Sequence, residues 1–185
     1  VRQLLERAYS LAKELEPKLI ISDPKSYCDI WRGISETDKN LKHFYITITN
    51  ISSGHIKGCS VKEISFVNAL GRTASESGRY FRLKIEAKAD SDQHSFERQF
   101  DLHGKVDHVD IEICCMDERN ESARVFMTYA TTPTHLLPNS IPKTFFPHKL
   151  TISVTAENLP VPVERTFIID VTPDGYLNVE AQVNV

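Results

Sequence analysis

The residues that could do chemistry are scattered along the 185-residue chain, and their densest group surrounds one predicted hairpin. His103 and His108 lie there with Asp101, Asp107 and Asp110. Neutral imidazoles and carboxylates together suit a divalent transition metal. Neighbouring strand residues point to opposite faces, however, and a solvated polar hairpin is the interpretation that the pattern favours. His103 and His108 are therefore weak metal candidates, and no metal site or cofactor is predicted.

The four cysteines, Cys28, Cys59, Cys114 and Cys115, form no CxxC pair, which is weak support for zinc. At most one of the vicinal pair can enter a core from a strand, and the alternation puts Cys115 on the same side as Ile113. We interpret the cysteines as mostly buried small hydrophobes in a reducing compartment. A Cys28–Cys59 disulfide is the alternative. A cysteine nucleophile would need a histidine base that the sequence does not place.

Enzyme signatures are absent from the sequence. It contains no HExxH, no GxSxG, no glycine-rich phosphate loop and no EF-hand loop, so no catalytic residue is predicted. The formal net charge is -3, and no run of Lys and Arg exceeds two residues, which disfavours a nucleic-acid partner. With 41% hydrophobic and 25% charged residues, the chain has an ordinary globular composition.

Four aromatic residues stand outside clean alternation and are the candidate binding residues: Tyr27, Trp31, Phe145 and Phe146. Large aromatic side chains often anchor interfaces, although they cover the end of a core just as often. The last two belong to residues 131–147, where four prolines argue against a helix or a central strand. We predict a long ordered loop there, with its apolar side chains against the core.

Residues 1–16 show the one helical pattern, which Pro17 ends. Apolar residues occupy the a and d positions of two heptads: Val1, Leu4, Ala8, Leu11 and Leu15. Two heptads are too short to hold a coiled coil alone. The helix either packs on the rest of the chain, or it forms a seam between copies in a homo-oligomer, or it connects to a membrane anchor preceding Val1. No apolar run approaches the ~20 residues of a membrane span, and no signal peptide is visible. These observations predict a cytoplasmic location, either as a free protein or as the cytoplasmic domain of a membrane protein.

After Pro17 the hydrophobic period changes from about 3.6 to 2. Alternation is clearest in four segments: 43–51, 149–157, 164–171 and 176–183. In 56–67 the phase slips between Val61 and Ile64, which predicts a β-bulge. The polar segment 36–42 is predicted to be a loop. Counting weaker segments, we predict about nine or ten short strands.

Two pairs of segments resemble known domains. Phe44–Gly54 followed by Cys59–Val61 resembles the first strands of bacterial immunoglobulin-like domains of the cell-adhesion-related kind. Lys149–Glu157 and Glu164–Val171 resemble their last two strands. The chain is also similar to bacterial and phage β-rich domains that follow a helix or a membrane span. The resemblance covers residues 43–183 and implies a fold and a binding role, with no catalytic residues.

The expectation is an all-β protein: an antiparallel immunoglobulin-like β-sandwich at 18–185 behind a short amphipathic helix at 1–16. The favoured function is a non-enzymatic binding module that contacts a protein or a small ligand. The alternatives are a ligand-sensing or effector head of a membrane-anchored protein, and an enzyme of unrecognised type.

Overall fold

A computed structural model describes residues 2–31, 39–73, 81, 99–117, 124–127 and 140–182. These residues form one α-helix, eleven strands and a 3-10 turn at Lys143–Phe145. The elements are α1 (Arg2–Leu15), β1 (Leu19–Ile21), β2 (Lys25–Trp31), β3 (Lys39–Asn50), β4 (Ile56–Asn68), β5 (Phe100–Leu102), β6 (His108–Asp117), β7 (Arg124–Met127), β8 (Ser140–Pro142), β9 (His148–Thr155), β10 (Val163–Val171) and β11 (Leu177–Ala181).

The first sheet has six strands in the order β1-β3-β6-β7-β8, and β2 also pairs with β3. Every pairing in it is antiparallel. β1 and β2 share one edge of β3, because Asp23-Pro24 interrupts what would otherwise be a single strand. Ser22 bridges the gap: its backbone N–H donates to Thr47 O, and its Oγ accepts from Thr47 N, both at 2.9 Å.

The second sheet has five antiparallel strands in the order β11-β10-β9-β4-β5. Strands β10 and β11 are joined by the turn Thr172–Gly175. Gly175 has φ +86° and donates its N–H to Thr172 O at 2.8 Å. That conformation favours glycine, and Pro-Asp-Gly at 173–175 is a turn-forming sequence.

Both sheets contribute to one hydrophobic cluster. Alternate residues of the central strands are fully buried, as the two-residue period requires. The largest fully buried members among the described residues are Phe66, Phe81, Phe167, Ile46, Ile48, Ile56, Leu102, Ile111, Ile113, Met116, Leu150 and Ile152. The all-β architecture behind one N-terminal helix is therefore confirmed.

The bulge predicted in β4 is confirmed, since its register with β9 shifts between Glu63 and Ser65. Ile64 lies in the shifted segment and is exposed, while Phe66 is buried. In β6 only one of the vicinal cysteines enters the core, as predicted, but the predicted side is wrong, because the buried residue is Cys114 and not Cys115. A register shift opposite Phe44 and Tyr45 reverses the phase, so that Cys114 is fully buried and Cys115 is half-buried.

Two segments predicted as loops contain strand. Residues 39–42 extend β3 and pair with β2. Residues 140–142 form β8, a short edge strand whose Pro142 pairs with Arg124. An edge position tolerates proline because no neighbour needs its missing N–H. Residues 131–139 of the second predicted loop lie outside the described residues.

The helix α1 does not pack through its apolar face. Leu4, Leu5 and Leu11 are 72%, 66% and 55% exposed. The apolar stripe of α1 is therefore not buried on the sheets. Among the described residues, no helix is both long and apolar enough to cross a membrane.

Candidate functional sites

One histidine cluster lies at the edge of the second sheet. His55 comes directly before β4, Asp101 is the central residue of β5, and His103 directly follows β5. One potential ligand atom from each residue lies within 4.8 Å of the other two. The two imidazole rings have centroids 4.2 Å apart with a 31° tilt. The antiparallel pairing of Ile56 with Leu102 brings these residues together across 48 positions of chain.

The carboxylate of this cluster is held on one side only. Asp101 Oδ1 accepts the backbone N–H of Gly58 at 2.8 Å, while Asp101 Oδ2 lies 3.6 Å from His55 Nε2. That separation is too long for a hydrogen bond. His55 Nε2 is buried and makes no hydrogen bond to a described residue. The cluster therefore contains a buried nitrogen facing a carboxylate oxygen across a gap.

Asn50 fixes the turn that carries the first histidine. Its Nδ2 donates to Gly54 O at 2.7 Å and to Leu102 O at 3.5 Å, and its Oδ1 accepts from Ser52 N at 2.9 Å and Ser52 Oγ at 2.7 Å. Its backbone N–H and C=O bond the turn after β5, at Asp107 O and Val106 N. Asn50 is fully buried, so this side chain joins the last residue of β5 to the turn before His55.

His108 does not join the cluster. Its Nδ1 lies 3.3 Å from Val106 O, and the side chain is at the exposed start of β6. Asp107 accepts the backbone N–H groups of both His103 and His108, and Asp110 accepts from Thr47 Oγ1 at 2.7 Å. Of the two predicted metal candidates, the structure thus brings only His103 to other ligand-type groups. His55, the partner of His103 that the sequence analysis did not predict, carries no local sequence signal.

A second cluster lies on the outward face of the first sheet. His43 of β3 sits beside Tyr27 of β2 and beside Glu112 and Cys115 of β6. The Tyr27 and His43 rings stack, with centroids 4.7 Å apart and a 7° interplanar angle. His43 Nδ1 and Glu112 Oε1 are 2.5 Å apart, so the ring N–H donates a short hydrogen bond to the carboxylate. His43 Nε2 is buried and has no hydrogen-bond partner in the described part of the chain.

All four thiols are free. Burial, with the Glu112 charge as a second cause, raises the pKa of Cys115 to about 12. Burial and the nearby Asp101 charge raise the pKa of Cys59 to about 11. Burial also raises the pKa of Cys114 well above its ordinary value. At neutral pH these three are protonated, weak nucleophiles. Cys28 is exposed on β2 whereas Cys59 is fully buried in the other sheet.

The four predicted binding aromatics fall in two separate places. Tyr27 belongs to the His43 cluster and also contacts Tyr45, with ring centroids 5.8 Å apart. Trp31 ends β2, and its side chain lies outside the described residues.

The other two, Phe145 and Phe146, lie in the segment that precedes β9. Phe145 is 66% exposed in the 3-10 turn. Phe146 packs on His148, with ring centroids 4.7 Å apart. Burial lowers the pKa of His148, as expected for a ring between Phe66 and Phe146. No ring contact between described residues joins this pair to Tyr27.

The side of α1 nearer to the sheets is polar. Ser10 and Lys13 of α1 line a groove with residues of the chain beyond the helix: Lys18, Ile51, Ser52, Ser53 and Lys105. On a helix, Lys13 lies roughly opposite the Leu4 and Leu11 stripe, and Ser10 lies about 110° away from it. The helix thus turns its polar side towards the groove and presents its leucines outward.

Searches of protein-family models, curated proteins and solved structures found no match to this chain. Any argument about function therefore depends on the sites themselves.

Proposed function

We propose that this chain is a non-enzymatic interaction module in which an immunoglobulin-like β-sandwich displays α1 for pairing with a second copy of the same chain. The observation that carries the proposal is the outward apolar stripe of α1. The single hydrophobic cluster shared by two antiparallel sheets supports the sandwich arrangement.

The orientation of α1 favours a partner for its apolar face. An amphipathic helix in a monomer normally turns its apolar stripe to the core. Here the groove side carries Ser10 and Lys13, and Leu4 and Leu11 remain more than half exposed. Burying a leucine side chain contributes roughly 1.5–3 kcal/mol. A contact that covers this stripe would therefore be favourable.

The charge pattern of α1 is complementary to an antiparallel second copy. If residue numbers across the pair sum to 19, Leu4 faces Leu15 of the other copy and Ala8 faces Leu11, which gives alternating a and d layers. The flanking g positions are then Arg7 and Glu14. They meet with opposite charge twice, since a two-fold interface repeats every contact. A parallel pair would place Arg7 beside Ala12 instead and lose both ion pairs.

The pairing is expected to be weak. A helix of 14 residues is about 21 Å long at 1.5 Å per residue. Few side chains can be buried over that length, and association itself costs free energy. We expect a concentration-dependent dimer with a dissociation constant in the micromolar range or weaker. Such an interface suits a module whose assembly responds to local concentration.

The first test is Leu11→Asp, measured by sedimentation equilibrium over a wide concentration range. We expect the wild type to show a monomer–dimer equilibrium and Leu11→Asp to remain monomeric, because a charge would lie in the apolar seam. Ser10→Asp is the matched control: it introduces the same side chain one position away on the groove side and should leave the equilibrium unchanged. A monomeric wild type at every concentration would reject the proposal.

The second test addresses orientation. Arg7→Glu should weaken the dimer, because it places two acidic side chains at each flanking position. Adding Glu14→Arg should restore the affinity to near the wild-type value, since the opposite charges are exchanged. Lys13→Glu makes the same charge reversal away from the seam and serves as control. A dimer lost on Leu11→Asp but insensitive to Arg7→Glu would retain the seam and overturn the antiparallel register.

A further inference from the structure

We propose that His55, Asp101 and His103 form a binding site for a single Zn²⁺ ion. The inference is independent of pairing through α1, because the three residues lie at the β4–β5 edge of the second sheet and not on the helix.

The spacing of the donor atoms fits a shared metal better than a hydrogen bond. Two ligands of one tetrahedral zinc, each about 2.0–2.2 Å from the ion, lie roughly 3.4 Å apart. His55 Nε2 and Asp101 Oδ2 are separated by 3.6 Å. A hydrogen bond between these atoms would bring them to about 2.7–3.2 Å. An ion between them would also give the buried His55 Nε2 the partner that it lacks among the described residues.

The groups behind the ligands hold them in place. The Gly58 N–H binds Asp101 Oδ1 and leaves Oδ2 directed at the gap. Asn158 Nδ2 donates to His55 O at 2.8 Å, and Asp107 Oδ2 accepts from His103 N at 2.7 Å. The Gly58 contact orients a ligand side chain, and losing such a hydrogen bond commonly costs about 10–100-fold in metal affinity, while the other two contacts fix the backbone of the histidines.

Two imidazoles and one carboxylate are a common donor set for zinc. His55 is half-buried, while Asp101 and His103 are exposed, so an ion can enter from solvent and keep water at the remaining position. The ion would join the residue before β4 to the end of β5. Because β5 has only three residues and lies at the sheet edge, the bound ion would fasten this strand to its neighbour.

The other three-donor cluster does not fit the same ion. His43 Nδ1 and Glu112 Oε1 are 2.5 Å apart, which is closer than two ligands of one tetrahedral ion. The N–H of His43 Nδ1 donates a hydrogen bond to that oxygen instead. The two clusters also differ in donor type, because only the His43 cluster contains a thiol, that of Cys115. This difference makes them distinguishable by spectroscopy.

The experiment is a titration of metal-free protein with Zn²⁺ by isothermal calorimetry, with a parallel Co²⁺ titration followed by absorption. We expect one ion per chain at micromolar affinity and a rise in Tm with added Zn²⁺, since an ion that binds only the folded state stabilises it. Bound Co²⁺ should show ligand-field bands without a thiolate-to-metal charge-transfer band.

Substitutions then assign the ligands. His103→Gln and Asp101→Asn should each weaken Zn²⁺ binding by about tenfold or more. His108→Gln is the matched control, because it removes another exposed histidine five residues away that makes no contact with the cluster, and it should bind as the wild type does. Circular dichroism without metal checks that each variant remains folded.

Three results would overturn the proposal: absence of saturable Zn²⁺ binding, equal losses from His103→Gln and His108→Gln, or a thiolate band that disappears in Cys115→Ser. The last result would place the ion at the His43 cluster. None of these results bears on the Leu11→Asp test, so the two proposals fail separately.

Discussion

The two histidine clusters contain similar donor groups and yet differ in chemistry. On the first sheet, His43 Nδ1 and Glu112 Oε1 approach to 2.5 Å and form a hydrogen bond. At the edge of the second sheet, His55 and Asp101 stop at 3.6 Å, because the Gly58 N–H holds the other carboxylate oxygen. The strand backbone brings the first pair together, whereas a turn and an edge strand position the second. The spacing imposed by the backbone, more than residue type, distinguishes the hydrogen-bonded pair from the zinc site that we propose.

The largest effect on stability should come from removing the Asn50 side chain, which positions the second cluster and does not contact the first. Asn50→Ala deletes a fully buried side chain and leaves the N–H of Ser52 and the C=O of Gly54 without their partner. We expect the free energy of unfolding to fall by about 2–4 kcal/mol, measured by urea denaturation. Zn²⁺ affinity should fall as well, since the turn before His55 loses its link to β5.

The control for this change is Asn178→Ala, which removes a less buried asparagine whose Nδ2 donates to the carboxylate of the exposed Glu180. It should alter stability by less than about 0.5 kcal/mol. Equal effects of the two substitutions would mean that Asn50 does not organise this edge.

An intermediate effect on stability should distinguish the carboxylate of Glu112 from that of Asp101. Without metal, Glu112→Gln should lower the free energy of unfolding by roughly 1–2 kcal/mol, because it weakens a short, charge-assisted hydrogen bond between largely buried side chains. Asp101→Asn should cost less than about 0.5 kcal/mol, since Asp101 is half exposed and its amide oxygen can still accept from Gly58. Both changes are measured by urea denaturation in the presence of a chelator. If Asp101→Asn proves the more costly, the contrast between the clusters is wrong.

The smallest effect concerns the thiol of the first cluster. Only thiolate is alkylated at an appreciable rate, so a pKa of about 12 should make Cys115 react far more slowly than the exposed Cys28 at pH 8. The rate of Cys115 alkylation should increase as the pH is raised towards that pKa, because the thiolate fraction increases. Glu112→Gln removes one cause of the raised pKa and should increase the rate for Cys115 without changing that for Cys28.

Peptide mass spectrometry after timed iodoacetamide treatment measures both rates in one sample, and urea should expose all four thiols. Cys28 and Cys115 reacting equally in the folded protein would contradict the burial of the first cluster.

Much of the fold could be predicted from local patterns. The alternation of β3 and β9–β11, the Thr172–Gly175 turn and the phase slip in β4 are all encoded within a few neighbouring residues. The phase of Cys114 and Cys115 was predicted wrongly, because the shift in β6 arises from its pairing with β3 and leaves no mark in its own alternation.

The sites were harder to predict than the fold, because they form through strand pairing between residues that are distant in the sequence. His103 was recognisable as a ligand type, but its companion His55 lies 48 residues earlier and meets it only because β5 pairs with β4. In the same way, Tyr27 was singled out as an aromatic residue, while its stacking on His43 follows from the register of β2 with β3. The apolar stripe of α1 was readable from the sequence, whereas its outward orientation was not.

The break between β1 and β2 bears on how the protein behaves at high concentration. A continuous strand there would offer a foreign or misfolded chain a long row of free backbone groups to pair with. Instead the edge consists of three- and seven-residue pieces, separated by a proline that lacks an N–H. Arg165 of β10 holds the gap from the other sheet by bonding Ile21 O and the Asp23 carboxylate. The interruption thus disfavours extension of the sheet by a second chain along this edge.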